Sequence, residues 1–285
     1  MDLWTCWPGN TSGERQFRMK KILLACCCLS FSLLAGQSGP QPQNQPQIKT
    51  QAQTTPLPQT RPQPPQSKTD AKSPAGTAPA GPDDLKNVMA QANRAAATFR
   101  TARAKFQWDQ YERVVDETEV QRGEIYFRRT RSGMDAAVRV TSPDTKQVVF
   151  VDGTLKLFQP KIKQVTIYDA RARRTEVDSL MNIGFGSRAD DIEKSYEVKM
   201  EGWETVDGVK TARLNLVPRN EKLKASVTNI ILWLDPQRDV SLKQKFIEPG
   251  ENYRLTHYTD IELNTKISND VFELKTPAGT TTVRP

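Results

Sequence analysis

The chain has 285 residues with 41 Lys or Arg against 33 Asp or Glu, a formal net charge of +8, one histidine and four cysteines. Most of that excess lies outside positions 83–285, which hold 33 basic and 30 acidic side chains, a net of +3, with both signs interspersed. No basic stripe forms, so no nucleic-acid partner is expected. Cysteines confined to Cys6, Cys26, Cys27 and Cys28, with one histidine, cannot supply a four-ligand metal site, and neither metal nor cofactor is expected.

Residues 1–18, MDLWTCWPGNTSGERQFR, are polar and patternless and read as an upstream extension from a misplaced start codon. Met19-Lys20-Lys21 then leads into the apolar stretch 22–35, after which the chain turns polar at Gln37. Fourteen apolar residues fall short of the about 20 that span a membrane, so 19–38 reads as a secretory signal peptide, cleaved near 35–38, with a periplasmic product. Leu23-Leu24-Ala25-Cys26 loosely resembles the box that precedes a lipidated cysteine. It leaves only four apolar residues upstream, fewer than the roughly 7 to 15 of an apolar signal core, and a lipid anchor on Cys26 is the alternative. Cleavage near 35–38 removes every cysteine, so the domain must be held by its core without disulfides.

Residues 39–82 read as a disordered Pro/Gln-rich linker: positions 37–82 hold 11 prolines and 10 glutamines in 46 residues, with almost nothing apolar to offset ordering entropy.

The folded domain is expected over 83–285. Asp83 and Asp84 precede Leu85, Val88, Met89, Ala92, Ala95, Ala96 and Phe99, whose 3-4 spacing predicts one amphipathic helix with acidic residues at its positive end. The period then changes to two. Turn signals at Asp116-Glu117, Ser132-Gly133, Ser142-Pro143-Asp144, Asp152-Gly153, Asp207-Gly208, Asp235-Pro236 and Pro249-Gly250 punctuate strand-like runs such as GEIYFRR, KQVVFVDG and VTNIILWLD. This predicts an antiparallel meander of about nine to eleven strands. Residues 171–195 break the alternation and predict short helices around Leu180, Met181, Ile183 and Phe185, lying across one face of the sheet. A single sheet that long curls, and a helix plus an apolar insertion can cover its concave side, over either a dry core or an apolar ligand cavity.

Nothing points to an enzyme. His257 sits in an ordinary strand pattern without a partner cluster, and Asp190 and Asp191 are adjacent, so on a helix they point apart and cannot act as a paired acid and base. Trp203 and Trp233 fall in strand patterns as core or cavity wall.

The order of a helix, GEIYFRR, VVFVDGTLKLFQPKIKQVTIYDA, an irregular helical insertion, paired long strands and a closing NDVFELKTPAGTTTV resembles the LolA-like outer-membrane lipoprotein carriers over residues 84–283. The resemblance implies an α+β, mainly β fold: an incomplete antiparallel β-barrel, or half-barrel, with a helical lid over a hydrophobic cavity for acyl chains. It further implies an arginine at the end of the GEIYFRR strand that holds the lid closed when the cavity is empty. That role falls on Arg129, with Arg128 and Arg131 as alternatives, because Thr130 stands where the family has proline. Cavity and lid candidates are Leu85, Val88, Met89, Phe99, Ile125, Phe127, Leu180, Met181, Ile183, Phe185 and Trp233. Implied partners are acylated lipoproteins or other lipid cargo, an inner-membrane lipoprotein-releasing ABC transporter and an outer-membrane acceptor, met by a monomer. The alternative function is a lipid- or lipoprotein-sensing regulator, or a membrane-anchored acceptor, on the same half-barrel.

Overall fold

Aspartate and glycine at the ends of alternating runs set the connections of this chain. In the computed structural model, which describes residues 80–285, each of the seven turn signals closes an antiparallel hairpin. Asp116, Asp152 and Asp207 take φ near 50°, a left-handed conformation that a short polar side chain tolerates. The expected extension, signal peptide and nearly all of the linker lie outside the described residues.

Helix α1 (Asp84–Thr98) is followed by β1 (Thr101–Glu112), β2 (Glu117–Thr130), β3 (Gly133–Ser142), β4 (Lys146–Val151), β5 (Thr154–Gln159) and β6 (Gln164–Asp169). Two short helices, α2 (Arg174–Met181) and α3 (Ala189–Ser195), interrupt the meander. It resumes with β7 (Tyr196–Val206), β8 (Val209–Pro218), a single turn α4 (Glu221–Lys224), β9 (Asn229–Asp235), β10 (Val240–Ile247) and β11 (Tyr253–Leu263), and ends with β12 (Thr281–Val283). All twelve strands form one open sheet in the order β12-β6-β5-β4-β3-β2-β1-β11-β10-β9-β8-β7. Every pairing is antiparallel except β12 with β6. The fold is a half-barrel, mainly β, with helices on its concave side.

The twelve strands exceed the nine to eleven expected because the three-residue β12 adds to the edge of the sheet, and among the others β3 carries weak alternation. The buried face of β1 is built from Ala102, Ala104 and Phe106, and β3 buries Met134, Asp135, Ala136 and Ala137 in succession. β3 is covered on both faces, since the segment after β11 crosses outside it and packs Phe272 on Tyr126, Ala137 and Val149. A run buried on both sides has no reason to alternate.

Two clusters fill the concave side. Phe106, Ile125, Phe127, Phe150 and Leu155 pack with the insertion's Val177 and Phe185 on the β1–β5 half. Val88, Met89 and Ala92 of α1, with Ala189 and Ile192 of α3, pack on Leu214, Leu216, Ile230, Leu232 and Leu234 of the β7–β10 half. The Trp203 indole donates to Asp84 at 2.9 Å and ties the start of α1 to β7. On the convex side the tip of the β7–β8 hairpin covers a smaller cluster, in which Val206 packs with Ile231, Trp233 and Leu242 and Asp207 lies 2.6 Å from His257 Nε2.

Register on β2 fixes which side chains face inward: Gly123, Ile125, Phe127 and Arg129 share one face, Tyr126 and Arg128 the other. Gly123 sits where the β2–β3 register shifts, and a Cβ there would stand 2.0 Å from the Arg139 carbonyl oxygen. Gly123→Ala is therefore expected to lower unfolding free energy by about 3 kcal/mol, measured by urea denaturation, because backbone and not a flexible side chain must yield.

Candidate functional site

The concave side is closed by the insertion between β6 and β7. Helix α2 is tied to the β2–β3 and β4–β5 turns through Arg174, which lies 3.3 Å from Asp152, 3.2 Å from Ser132 and 3.5 Å from Asp178. Helix α3 is capped from α1, where Asn93 Oδ1 accepts the Ala189 N–H at 2.7 Å and Asn93 Nδ2 donates to Asp190 at 3.1 Å. The loop between them, residues 182–188, is sewn to the start of β10. Ser241 N–H donates to the Gly184 carbonyl at 2.7 Å, and Gly186 N–H donates to the Asp239 carbonyl at 3.1 Å. Gln244 Nε2 donates to the Ile183 carbonyl at 2.7 Å, and its own Oε1 accepts from the Tyr258 hydroxyl at 3.2 Å. Phe185 stacks on Phe127 at 4.6 Å and meets the edge of Tyr258 at 4.9 Å.

Glycine is required twice in this loop. Gly184 and Gly186 have φ of 75° and 70°, and a Cβ would stand 2.1 Å from Ser241 Oγ at the first and 2.4 Å from the Phe99 ring at the second.

Arg129 reaches this loop from the opposite wall. Its inward parity on β2 aims the guanidinium at the loop, where Nη2 donates to the Gly186 carbonyl. Its backbone N–H donates to the Arg100 carbonyl at 2.8 Å, and the guanidinium lies 5.5 Å from the centre of the Phe99 ring. Burial pulls the Arg129 pKa down, and the negative charge of Asp239 opposes that shift. Asp239, 1 % exposed, is pushed the other way: burial raises its carboxyl to about 8, with Arg129 opposing.

Beneath the lid lies a cavity of about 90 Å³, walled by Trp108, Ile125, Phe127, Ala136, Val138, Val148, Phe150, Leu155, Leu180, Met181 and Phe246, with Gln244, Arg254, Thr256 and Tyr258 on one side. Pockets that hold small organic ligands run to about 300–1,000 Å³, so this cavity is smaller than a ligand pocket of that class. A cleft of about 580 Å³ adjoins the other side of the lid, lined among others by Arg129, Arg131, Met134, Asp178, Arg188 and Ile192.

The residues singled out by sequence fall into four places. Ile125, Phe127, Leu180 and Met181 line the cavity, and Phe99 and Phe185 belong to the same core beside it. Leu85, Val88, Met89 and Ile183 pack in the neighbouring cluster against β7–β10, where they seat α1 and the lid without lining the cavity. Trp233 is a correction: it lies on the convex side with Ile231, and its indole donates to Glu204 at 2.8 Å. β9 is buried on both faces, so its parity, set by inward Ile230, Leu232 and Leu234, turns Trp233 outward. Arg128 also points outward, 2.8 Å from Asp135 and 4.1 Å from the centre of the Phe272 ring, while Arg131 is exposed past the end of β2 on the larger cleft.

Sequence reading missed Trp108, Phe150, Leu155, Gln244, Arg254, Thr256 and Tyr258 as cavity wall, and Asp239 altogether. Alternation in β10 and β11 carries a signal for Gln244, Thr256 and Tyr258, which share the inward face. Nothing local marks Asp239, whose burial depends on the lid loop 53 residues earlier. Among the described residues no group of three or more His, Cys, Asp or Glu is disposed to hold a metal ion, and no helix is long and apolar enough to cross a membrane.

No family model and no curated protein matches the chain. Solved structures similar to it include the Pseudomonas aeruginosa MucA/MucB complex, at 15% identity and a TM-score of 0.43 over 67% of this chain. The match spans 61% of that chain, under two thirds of its length. A LolA superfamily protein from Nitrosomonas europaea is similar at 12% identity and a TM-score of 0.35, over 70% of this chain and 99% of that one. The Mycobacterium tuberculosis lipoprotein LppX is similar at 9% identity and a TM-score of 0.42, over 66% and 99%.

Phe185 joins the lid to both walls of the cavity. Phe185→Ala is expected to lower unfolding free energy by about 3 kcal/mol in a urea titration and to speed hydrogen exchange selectively at the amides of residues 183–187.

Proposed function

We propose that this protein is an exported carrier that takes up the acyl chains of lipoproteins in the half-barrel and delivers them towards the outer membrane. The observation that carries this reading is a lid held over an apolar cavity by polar bonds, Arg129 to Gly186 and Gln244 to Ile183, above a space too small for a chain while closed.

The energetics suit a carrier. Each methylene moved out of water contributes about 0.8 kcal/mol, so a sixteen-carbon chain resists leaving a membrane by roughly 12 kcal/mol. A carrier must approach that value without exceeding it, since excess affinity blocks delivery. Here an incoming chain displaces Phe185, Leu180 and Met181 from the walls they touch, so apolar contact is exchanged and the net gain is reduced. On release, closure restores the bonds to the Gly186 and Ile183 carbonyls and offsets part of the cost of losing the cargo. Hydrogen bonds from a charged donor contribute about 1.5–3 kcal/mol, enough to tilt the exchange without dominating it.

In this reading the chain acts in the periplasm as a monomer after signal cleavage. It receives acylated lipoproteins from an ATP-driven releasing complex in the inner membrane and passes them to an outer-membrane acceptor.

Arg129→Leu tests the reading. It removes the charged donor beside Phe99, where an apolar side chain is sterically at home, so the melting temperature should change by a few degrees at most. Transfer of a lipidated protein from the loaded carrier to acceptor-bearing vesicles should slow by about tenfold, the equivalent of about 1.4 kcal/mol. Wild-type transfer by the variant would contradict the role of Arg129, and failure of the wild-type protein to bind any acylated protein would contradict the carrier.

A further inference from the structure

Arg129 and Asp239 are bridged by one residue of the loop. Gly186 donates its N–H to the Asp239 carbonyl at 3.1 Å and accepts the Arg129 guanidinium on its own carbonyl. The two side chains are near enough to couple electrostatically, yet no hydrogen bond or ion pair joins them. Each is left incomplete: Arg129 Nε and Asp239 Oδ2 are both buried without a hydrogen-bond partner. A buried cationic donor and a buried carboxyl, each with an unsatisfied atom on either side of the loop, are costly in this arrangement.

We propose that Asp239 is the second docking point of Arg129: when the lid lifts and takes the Gly186 peptide with it, the guanidinium pairs with the Asp239 carboxylate, and this ion pair holds the open, cargo-accepting state. The proposal rests on the lid reading of Arg129 given above and adds the partner that completes it. Arg129 then has an acceptor in both positions of the lid, a neutral carbonyl when closed and a carboxylate when open, so neither position strands a buried charge. A switch between two satisfied states needs less energy from the cargo than one that leaves an arginine unpaired.

The backbone around Asp239 is suited to a fixed docking point. Its φ of 53° is one that Asp and Asn adopt with little strain, and its N–H donates to the Asp235 carbonyl at 2.9 Å. On the same turn Asp235 is already engaged by Arg238 at 2.6 Å. Across from it Arg129 is the charged group that bears on the carboxyl, and Arg100 and Arg188 bear in turn on Arg129.

A sign follows for pH. With the lid closed the carboxyl titrates at about 8 and is protonated at neutral pH. Paired with a guanidinium in the open state it titrates at or below the ordinary carboxylate range, so opening releases a proton. The open population therefore rises with pH between about 4 and about 8 and is level above.

Hydrogen exchange at the amides of residues 183–187, in the mature protein without ligand and corrected for intrinsic amide chemistry, reads this directly. Between about pH 5 and 8 the open fraction of wild type should climb about tenfold per pH unit, and Asp239→Asn should abolish that slope and hold the lid at its low-pH level. Asn keeps the backbone conformation and matches the protonated side chain, so urea stability of the variant should equal or exceed wild type. Should Asp239→Asn not fold, Asp239→Ser, which also removes the titrating carboxyl, should give the same flat profile. An unchanged slope in the folded variant overturns the proposal. Binding of dansyl-undecanoate is measured in parallel: no binding with the pH slope intact overturns the carrier alone, and binding with a flat wild-type profile overturns the switch alone.

Discussion

The concave side of this half-barrel is governed by how a single loop peptide is gripped. Gly186 is held by Arg129 from β2 through its carbonyl and by the Asp239 carbonyl from the β9–β10 turn through its N–H, so one residue bridges two walls that the sheet topology places apart. Phe185 beside it fills the space between Phe127 and Tyr258. The rest of the molecule supports that grip. α1 presents Phe99 under the guanidinium and Asn93 at the start of α3, while Arg174 fastens the other end of the insertion to two hairpin turns.

The balance of forces explains why such a cover can be both stable and removable. Its apolar contacts are non-directional, and an acyl chain can replace them nearly one for one. Its polar contacts are directional and few, and they report whether the loop is in place. In the proposed carrier, a site built this way would distinguish a full cavity from an empty one through hydrogen bonds that the cargo itself cannot form. Arg129 Nε and Asp239 Oδ2 are buried without partners where the loop meets both walls, and Asn182 Oδ1 and Ser241 Oγ nearby are buried without partners as well.

Much of the architecture was legible in the sequence. Seven turn signals located seven hairpins, the 3-4 spacing located α1, and the loss of alternation at 171–195 located the cover. These signals are local, since turn chemistry and periodicity depend on a few neighbouring residues. β3 was harder because residues buried on both faces erase the two-residue pattern. The site was legible only in part. Ile125, Phe127 and Arg129 share a face by parity on one strand, which a sequence displays. Trp233 was misplaced because a strand buried on both sides gives no sign of which face is concave, and Asp239 was invisible because its environment comes from a loop far away in the chain.

The most direct test of a lidded acyl cavity is photo-crosslinking of the mature protein with a lipopeptide bearing a diazirine in its acyl chain, followed by peptide mapping. The account predicts saturable labelling on the concave side, at Phe127, Phe150, Leu155 or Phe246, competed by unlabelled lipopeptide. Labelling confined to the convex clusters around Trp233 and Phe272, or no saturable labelling at all, would contradict it.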